Sequence, residues 1–129
     1  MSEKDIYTIL RKSFSRIELQ RIENSCVHEM PDYWYNFGTN CSGFIEVKFI
    51  KRQGDRAKFQ PGQSAWIKDT WDKGQNAWVL YSDGEEFWLW SGFSVYYLEE
   101  GKWEQPADFY TKERISDLKQ FLLDHHAEI

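Results

Sequence analysis

Apolar residues recur at helical spacing from the start of the chain. Ile6, Ile9, Leu10, Phe14 and Ile17 fall on one face, which predicts an amphipathic helix over residues 3–19. Beyond it the period shortens, and residues 21–27 and 33–37 read as short β segments. Residues 44–50 form the clearest strand, with Ile45, Val47 and Phe49 on one face. The polar stretch 51–60, with Gly54, reads as a loop. Pro61 suits the first residue of a helix, because its missing N–H is unpaired there anyway. That helix is expected to carry Ala65, Trp66 and Ile67 inward and to stop near Gly74. Residues 77–81 read as a buried strand, Asp83-Gly84 signals a hairpin before 87–90, and 94–98 reads as one more strand. Thr111, with Glu113 in the first turn, is expected to cap a final helix running to about His125.

The order is therefore helix, three strands, helix, strand, a hairpin-like addition and a closing helix. It predicts an α/β fold in which one sheet is flanked by helices. The 129 residues suffice for one domain with a real core and are too few for two ordinary ones. With 41% hydrophobic and 18% aromatic residues, the chain carries too much apolar surface to stay disordered. No apolar run approaches the roughly 20 residues that span a bilayer, so no membrane partner is expected. The charged start leading into an amphipathic stretch does not read as a secretory signal, and a cytoplasmic location follows as the expectation. Cys26 and Cys41 fit no zinc spacing with His28, His125 and His126. One disulfide between them is conceivable, but without an export signal free thiols are expected.

A net charge of -5 argues against a protein that coats nucleic acid nonspecifically. The charge is uneven, however. Between Lys48 and Lys58 five basic residues (Lys48, Lys51, Arg52, Arg56 and Lys58) face one acid, Asp55. From Glu99 onward eight acids outnumber four basic residues. A basic strip on an acidic body suits an enzyme that touches DNA briefly, and it equally suits a solvated loop.

Glu46 and Lys48 stand two apart on the best strand, so both side chains leave the sheet on one face. Asp32 precedes Glu46 by fourteen positions, and a short hairpin can bring it alongside. Two adjacent carboxylates repel, and a hard cation such as Mg²⁺ relieves that repulsion while also binding phosphate. A lysine beside them can orient water or offset charge on a pentacoordinate phosphorus. The competing interpretation makes Glu46 and Lys48 the solvated face of an edge strand.

Arg21-Ile22-Glu23, Pro31-Asp32 and Gly43-Phe44-Ile45-Glu46-Val47-Lys48 together resemble the core of small phage and bacterial PD-(D/E)XK nucleases. The chain is similar to the VRR-NUC group and to Holliday-junction resolvases over about residues 17–90. A helix start like Pro61-Gly62-Gln63-Ser64-Ala65-Trp66, then Gly74 and a strand like Ala77-Trp78-Val79-Leu80, follow in the order those proteins have. The resemblance implies a restriction-endonuclease-like αβββαβ core with a mixed central sheet. It also implies a Mg²⁺-dependent endonuclease acting on DNA, with Mn²⁺ able to substitute. On that basis Asp32 and Glu46 become metal ligands and Lys48 the catalytic lysine. Gln63 matches a glutamine near the site, and Glu23 an acid on the first strand that supports metal or water. Lys51, Arg52, Arg56 and Lys58 are then expected to meet substrate. A branched substrate is implied by the resolvases, with a homodimer as corollary; a phage origin would place the protein in the infected host cell. The chain departs from relatives in having His28-Glu29-Met30 where they often place a glycine before Pro-Asp.

Other functions stay open at this level: a non-catalytic nucleic-acid- or protein-binding module that keeps the fold, or a small phage protein docking on a host enzyme. Trp34, Tyr35 and Phe37 could stack on unpaired bases or simply pack in the core. Trp88, Trp90, Tyr96, Tyr97 and Trp103 could form a dimer face or a second layer over the sheet. His125 and His126 read as an exposed helix end.

Overall fold

A computed structural model describes residues 2–22, 29–38 and 40–125. Its elements run α1 (Glu3–Ser13), β1 (Leu19–Arg21), β2 (Tyr33–Asn36), β3 (Ser42–Phe49), α2 (Gln63–Asp72), β4 (Ala77–Ser82) and β5 (Glu86–Ser91). A short 3₁₀ turn (Gly92–Ser94) then leads into α3 (Val95–Glu99), β6 (Phe109–Lys112) and α4 (Asp117–Asp124). The fold is a mixed α/β architecture, a six-stranded sheet in the order β1-β2-β3-β4-β5-β6 with four helices. All neighbouring strands are antiparallel except β3 and β4, which run parallel across the α2 crossover.

Alternation along the strands divides the sheet into two faces. On one, Ile45, Val47, Trp78, Leu80, Phe87 and Leu89 pack against Ile6 and Leu10 of α1 and Leu118 and Leu122 of α4. On the other, Val79, Tyr81, Trp88 and Trp90 pack against Ile67 of α2 and Val95 and Leu98 of α3, with Ala57 and Phe59 from the loop after β3. Each fully buried large apolar side chain contributes roughly 1.5–3 kcal/mol. Glu46 and Lys48 belong to the second face, called the site face below.

Several elements differ from the expectation. The first helix ends at Ser13 rather than running over 3–19. Ser15 and Glu18 exchange side-chain-to-backbone hydrogen bonds (3.2 Å each), closing a turn that competes with the helix. Phe14 still reaches the core, whereas Ile17 is 77% exposed. Of the β segment expected over 21–27, β1 covers only its first residue, and 23–28 lie outside the described residues. Pro61 lies in a turn before α2. Gly62, at φ 81°, supplies the left-handed residue that ends this turn, and a Cβ there would stand 2.7 Å from Glu29 Cγ. The helix therefore presents Gln63, Ser64, Ile67 and Thr70 inward, and Ala65 is exposed rather than inward.

Residues 94–98, expected as a strand, wind helically instead. Val95 and Leu98 are buried three apart while Tyr96 and Tyr97 are 43% and 45% exposed. Thr111 does not cap a helix. It sits buried in β6 opposite Phe87, and the last helix begins only at Asp117, beyond Glu113 at φ 62°. The Asp83-Gly84 hairpin is present, with Asp83 Oδ1 accepting the Glu85 and Glu86 N–H groups at 2.9 and 2.8 Å. No helix among the described residues is long and apolar enough to cross a membrane.

Candidate active site

β3 is an interior strand with β2 and β4 on either side, which removes the edge-strand interpretation of Glu46 and Lys48. They are 2% and 6% exposed. Burying charge is costly unless it is paired and hydrogen-bonded, and the surrounding bonds supply part of that compensation. Glu46 Oε2 lies 3.0 Å from Lys48 Nζ. Glu46 Oε1 accepts the Asp32 backbone N–H at 3.0 Å. Lys48 Nζ also donates to Gln63 Oε1 at 3.1 Å, and the Gln60 N–H donates to that same oxygen at 3.2 Å. The Lys48 ammonium stands 4.8 Å from the centre of the Phe59 ring, a cation–π contact.

Asp32 reaches this group because the β2–β3 register sets Tyr33 opposite Ile45. Carried one residue further, that register brings Asp32 to Glu46. Burial pushes the Glu46 carboxyl up to about 8; the Asp32 charge adds to this and Lys48 opposes it. Burial likewise raises Asp32, against the pull of Lys48 and of its hydrogen bonds with Glu46 and the Val47 backbone. The cluster thus holds two strained carboxylates and one ammonium at the bottom of a cleft of about 520 Å³, which Lys58, Gln60 and Gln63 also line.

Among the described residues no three His, Cys, Asp or Glu side chains gather into a metal-ligating group. Asp32 and Glu46 remain as an oxygen pair, a donor set that suits Mg²⁺, which is commonly held by one or two carboxylates with waters and phosphate completing its shell. A divalent charge would offset the burial that raises both carboxyls and the repulsion between them.

The structure brings together Asp32, Glu46, Lys48 and Gln63 from the expected site residues. Glu23 lies outside the described residues. Of the basic strip, Lys58 lines the cleft. Arg56 joins Lys58 along a neighbouring cleft of about 470 Å³ that also carries Glu99 and Glu100. Lys51 and Arg52 are exposed outside the 520 Å³ cleft, and Arg52 lies 3.9 Å from Asp55. Phe59 and the Gln60 N–H were not anticipated. The signal was a lone aromatic between Lys58 and Gln60 in an otherwise polar loop.

The other aromatics separate by place. Tyr35 is wholly buried and accepts the Trp78 Nε1–H at 3.1 Å, and Phe37 packs on the first core. Trp34 is partly exposed on the site face. Trp103 packs edge-on against Trp88 and Trp90, forming a second layer there. Cys41 is a buried free thiol, and Cys26 lies outside the described residues. No protein family, curated protein or solved structure matches the chain.

Proposed function

We propose that the protein is a metal-dependent endonuclease hydrolysing phosphodiester bonds in DNA, with the Asp32, Glu46 and Lys48 cluster as its centre. The observation that carries this reading is the burial of Glu46 and Lys48 on an interior strand, with the half-buried Asp32 brought beside them from the turn before β2, all three lining an open polar cleft. Purely structural ion pairs perturb titration too, but this cluster also lines a cleft of about 520 Å³, a size in the range of ligand sites. The order α1-β1-β2-β3-α2-β4, with β3 and β4 parallel, supports the resemblance to PD-(D/E)XK nucleases and their αβββαβ core.

In this reading Asp32 and Glu46 hold Mg²⁺, which when bound supplies charge neutralisation at the phosphate and a more acidic water. Lys48, tethered by Gln63, keeps its ammonium aimed at the cleft, where it orients the attacking water and stabilises charge growing on phosphorus. Gln63 acts through Lys48 as a positioning residue. Lys58 at the rim binds a phosphate flanking the scissile one. Paired cuts on a branched substrate would require two copies of the chain, which sedimentation in the presence of a junction would reveal.

The Glu46–Lys48 ion pair favours one alternative, a non-catalytic nucleic-acid-binding module, because it already neutralises one carboxylate. Incubation with linear duplex, single strand, fork and four-way junction in Mg²⁺, Mn²⁺ or EDTA separates the two. Metal-dependent cutting that is lost in Glu46→Gln supports the endonuclease. Binding without cutting of any substrate in either metal supports the module.

A further inference from the structure

The site face continues past the acid pair. Trp34 follows Asp32 by two residues and pairs with Phe44, which itself precedes Glu46 by two, so the same alternation lays both rings beside the cluster. Trp66 of α2 meets Phe44 edge-on at 5.1 Å. The three rings form a row across β2, β3 and α2, roughly 6.7 Å along the strands from the carboxylates, the length of two strand residues. All three are only partly buried, and neither Trp34 nor Phe44 belongs to either hydrophobic core. Trp66 packs against the second core and Phe44 rests on it, so packing accounts for those two rings but not for Trp34.

A cleft of about 250 Å³ opens beside two of these rings, lined by Trp34, Phe44, Asn40, Ser42, Gln75 and Asn76. Among the described residues no charged side chain lines it. The exposed amides of Asn40 and Gln75 offer both donors and acceptors, and a neutral, amide-bordered aromatic surface suits a nucleobase better than it suits a phosphate or a protein charge. Paired bases inside a duplex bury their π-faces against their neighbours, so away from a duplex end only an unpaired base can lie on a side-chain ring.

We propose that Trp34 with Phe44, backed by Trp66, is a stacking platform for an unpaired base adjacent to the scissile phosphate, making single-stranded or frayed DNA the preferred substrate. This inference rests on reading Asp32, Glu46 and Lys48 as the cutting centre. Trp34 would set specificity by holding the strand, and its contribution appears in binding as well as in turnover.

The test is fluorescence anisotropy of a labelled twelve-nucleotide single strand and of the blunt duplex of the same sequence, with Ca²⁺ present. Wild type is compared with Trp34→Ala, Trp34→Leu and Trp34→Phe, with circular dichroism as a check on folding. Base–aromatic stacking of ordinary strength predicts roughly ten-fold weaker single-strand binding for Ala and Leu, little change for Phe, and an unchanged duplex affinity. Leu keeps apolar bulk without a π-face, so its loss of binding distinguishes stacking from packing. Equal single-strand affinity in wild type and both aliphatic variants, or no single-strand binding by wild type, overturns the platform. Cleavage is scored separately in Mg²⁺. Cutting that persists with Trp34 irrelevant to binding removes the platform and leaves the endonuclease. Trp34-dependent binding with no cutting does the reverse.

Discussion

The two faces of the sheet use the same strand for opposite ends. On β3, Ile45 and Val47 enter a hydrophobic core closed by α1 and α4. Glu46 and Lys48, one residue along, point to a face that is equally hidden from bulk solvent and yet charged. The first face contributes stability in the usual way, by removing apolar area from water. The second holds two carboxylates in a place that raises both of their proton affinities, an arrangement that costs stability. A fold tolerates such a cost where the groups act on something else.

The largest expected effect lies on the site face. Asp32→Asn and Lys48→Ala should each lower metal-dependent cutting by on the order of a hundred-fold or more, with the far-ultraviolet spectrum unchanged. Retention of full activity in either would remove the distinction between the faces. On the opposite face Leu80→Ala, at a wholly buried position, should cost about 2–5 kcal/mol in urea unfolding. The folded variant should bind Mn²⁺ as wild type does, so coupled losses of stability and metal affinity would contradict the division.

A smaller effect concerns pH. The Glu46 carboxyl is raised in the folded chain from an ordinary value of 4.5 to about 8, so the folded state holds a proton that the unfolded state has released. Its contribution is fully present below pH 4.5 and is lost as pH rises through 8. In EDTA, wild-type stability should therefore fall as pH rises across that window. Glu46→Gln should flatten the profile and be the more stable protein at the alkaline end. Thermal melts at several pH values would show this, and parallel profiles for the two proteins would contradict it. Smallest of all, Lys68→Ala removes an ion pair (2.7 Å to Asp72) with an exposed partner on α2. It should shift stability by no more than about 0.5 kcal/mol, measured by urea unfolding, in contrast to the buried pair on β3.

What the sequence made legible follows from local rules. Strand alternation put Glu46 and Lys48 on one face, Pro61-Gly62 located the start of α2 to within two residues, and Asp83-Gly84 marked a hairpin. Tertiary context decided the rest. Whether Glu46 and Lys48 are solvated depends on β4 lying beside β3, a partner more than thirty residues away in the chain. Residues 94–98 are too few for period to separate helix from strand. Thr111 and Glu113 imitate a helix start, yet an open edge on β5 recruits Phe109–Lys112 as a strand. Ala65 was misplaced because a helix that begins at Gln63 turns a different side to the sheet. Phe59 gave no periodic signal, and its contact with Lys48 depends on how the loop folds back.

The most direct test of the charged face is calorimetric titration of wild type and Glu46→Gln with Mn²⁺ at pH 8. The account predicts saturable binding by wild type, with protons released as Glu46 gives up its own, and loss of that binding in the variant. No binding by wild type, or equal binding by both, would contradict it.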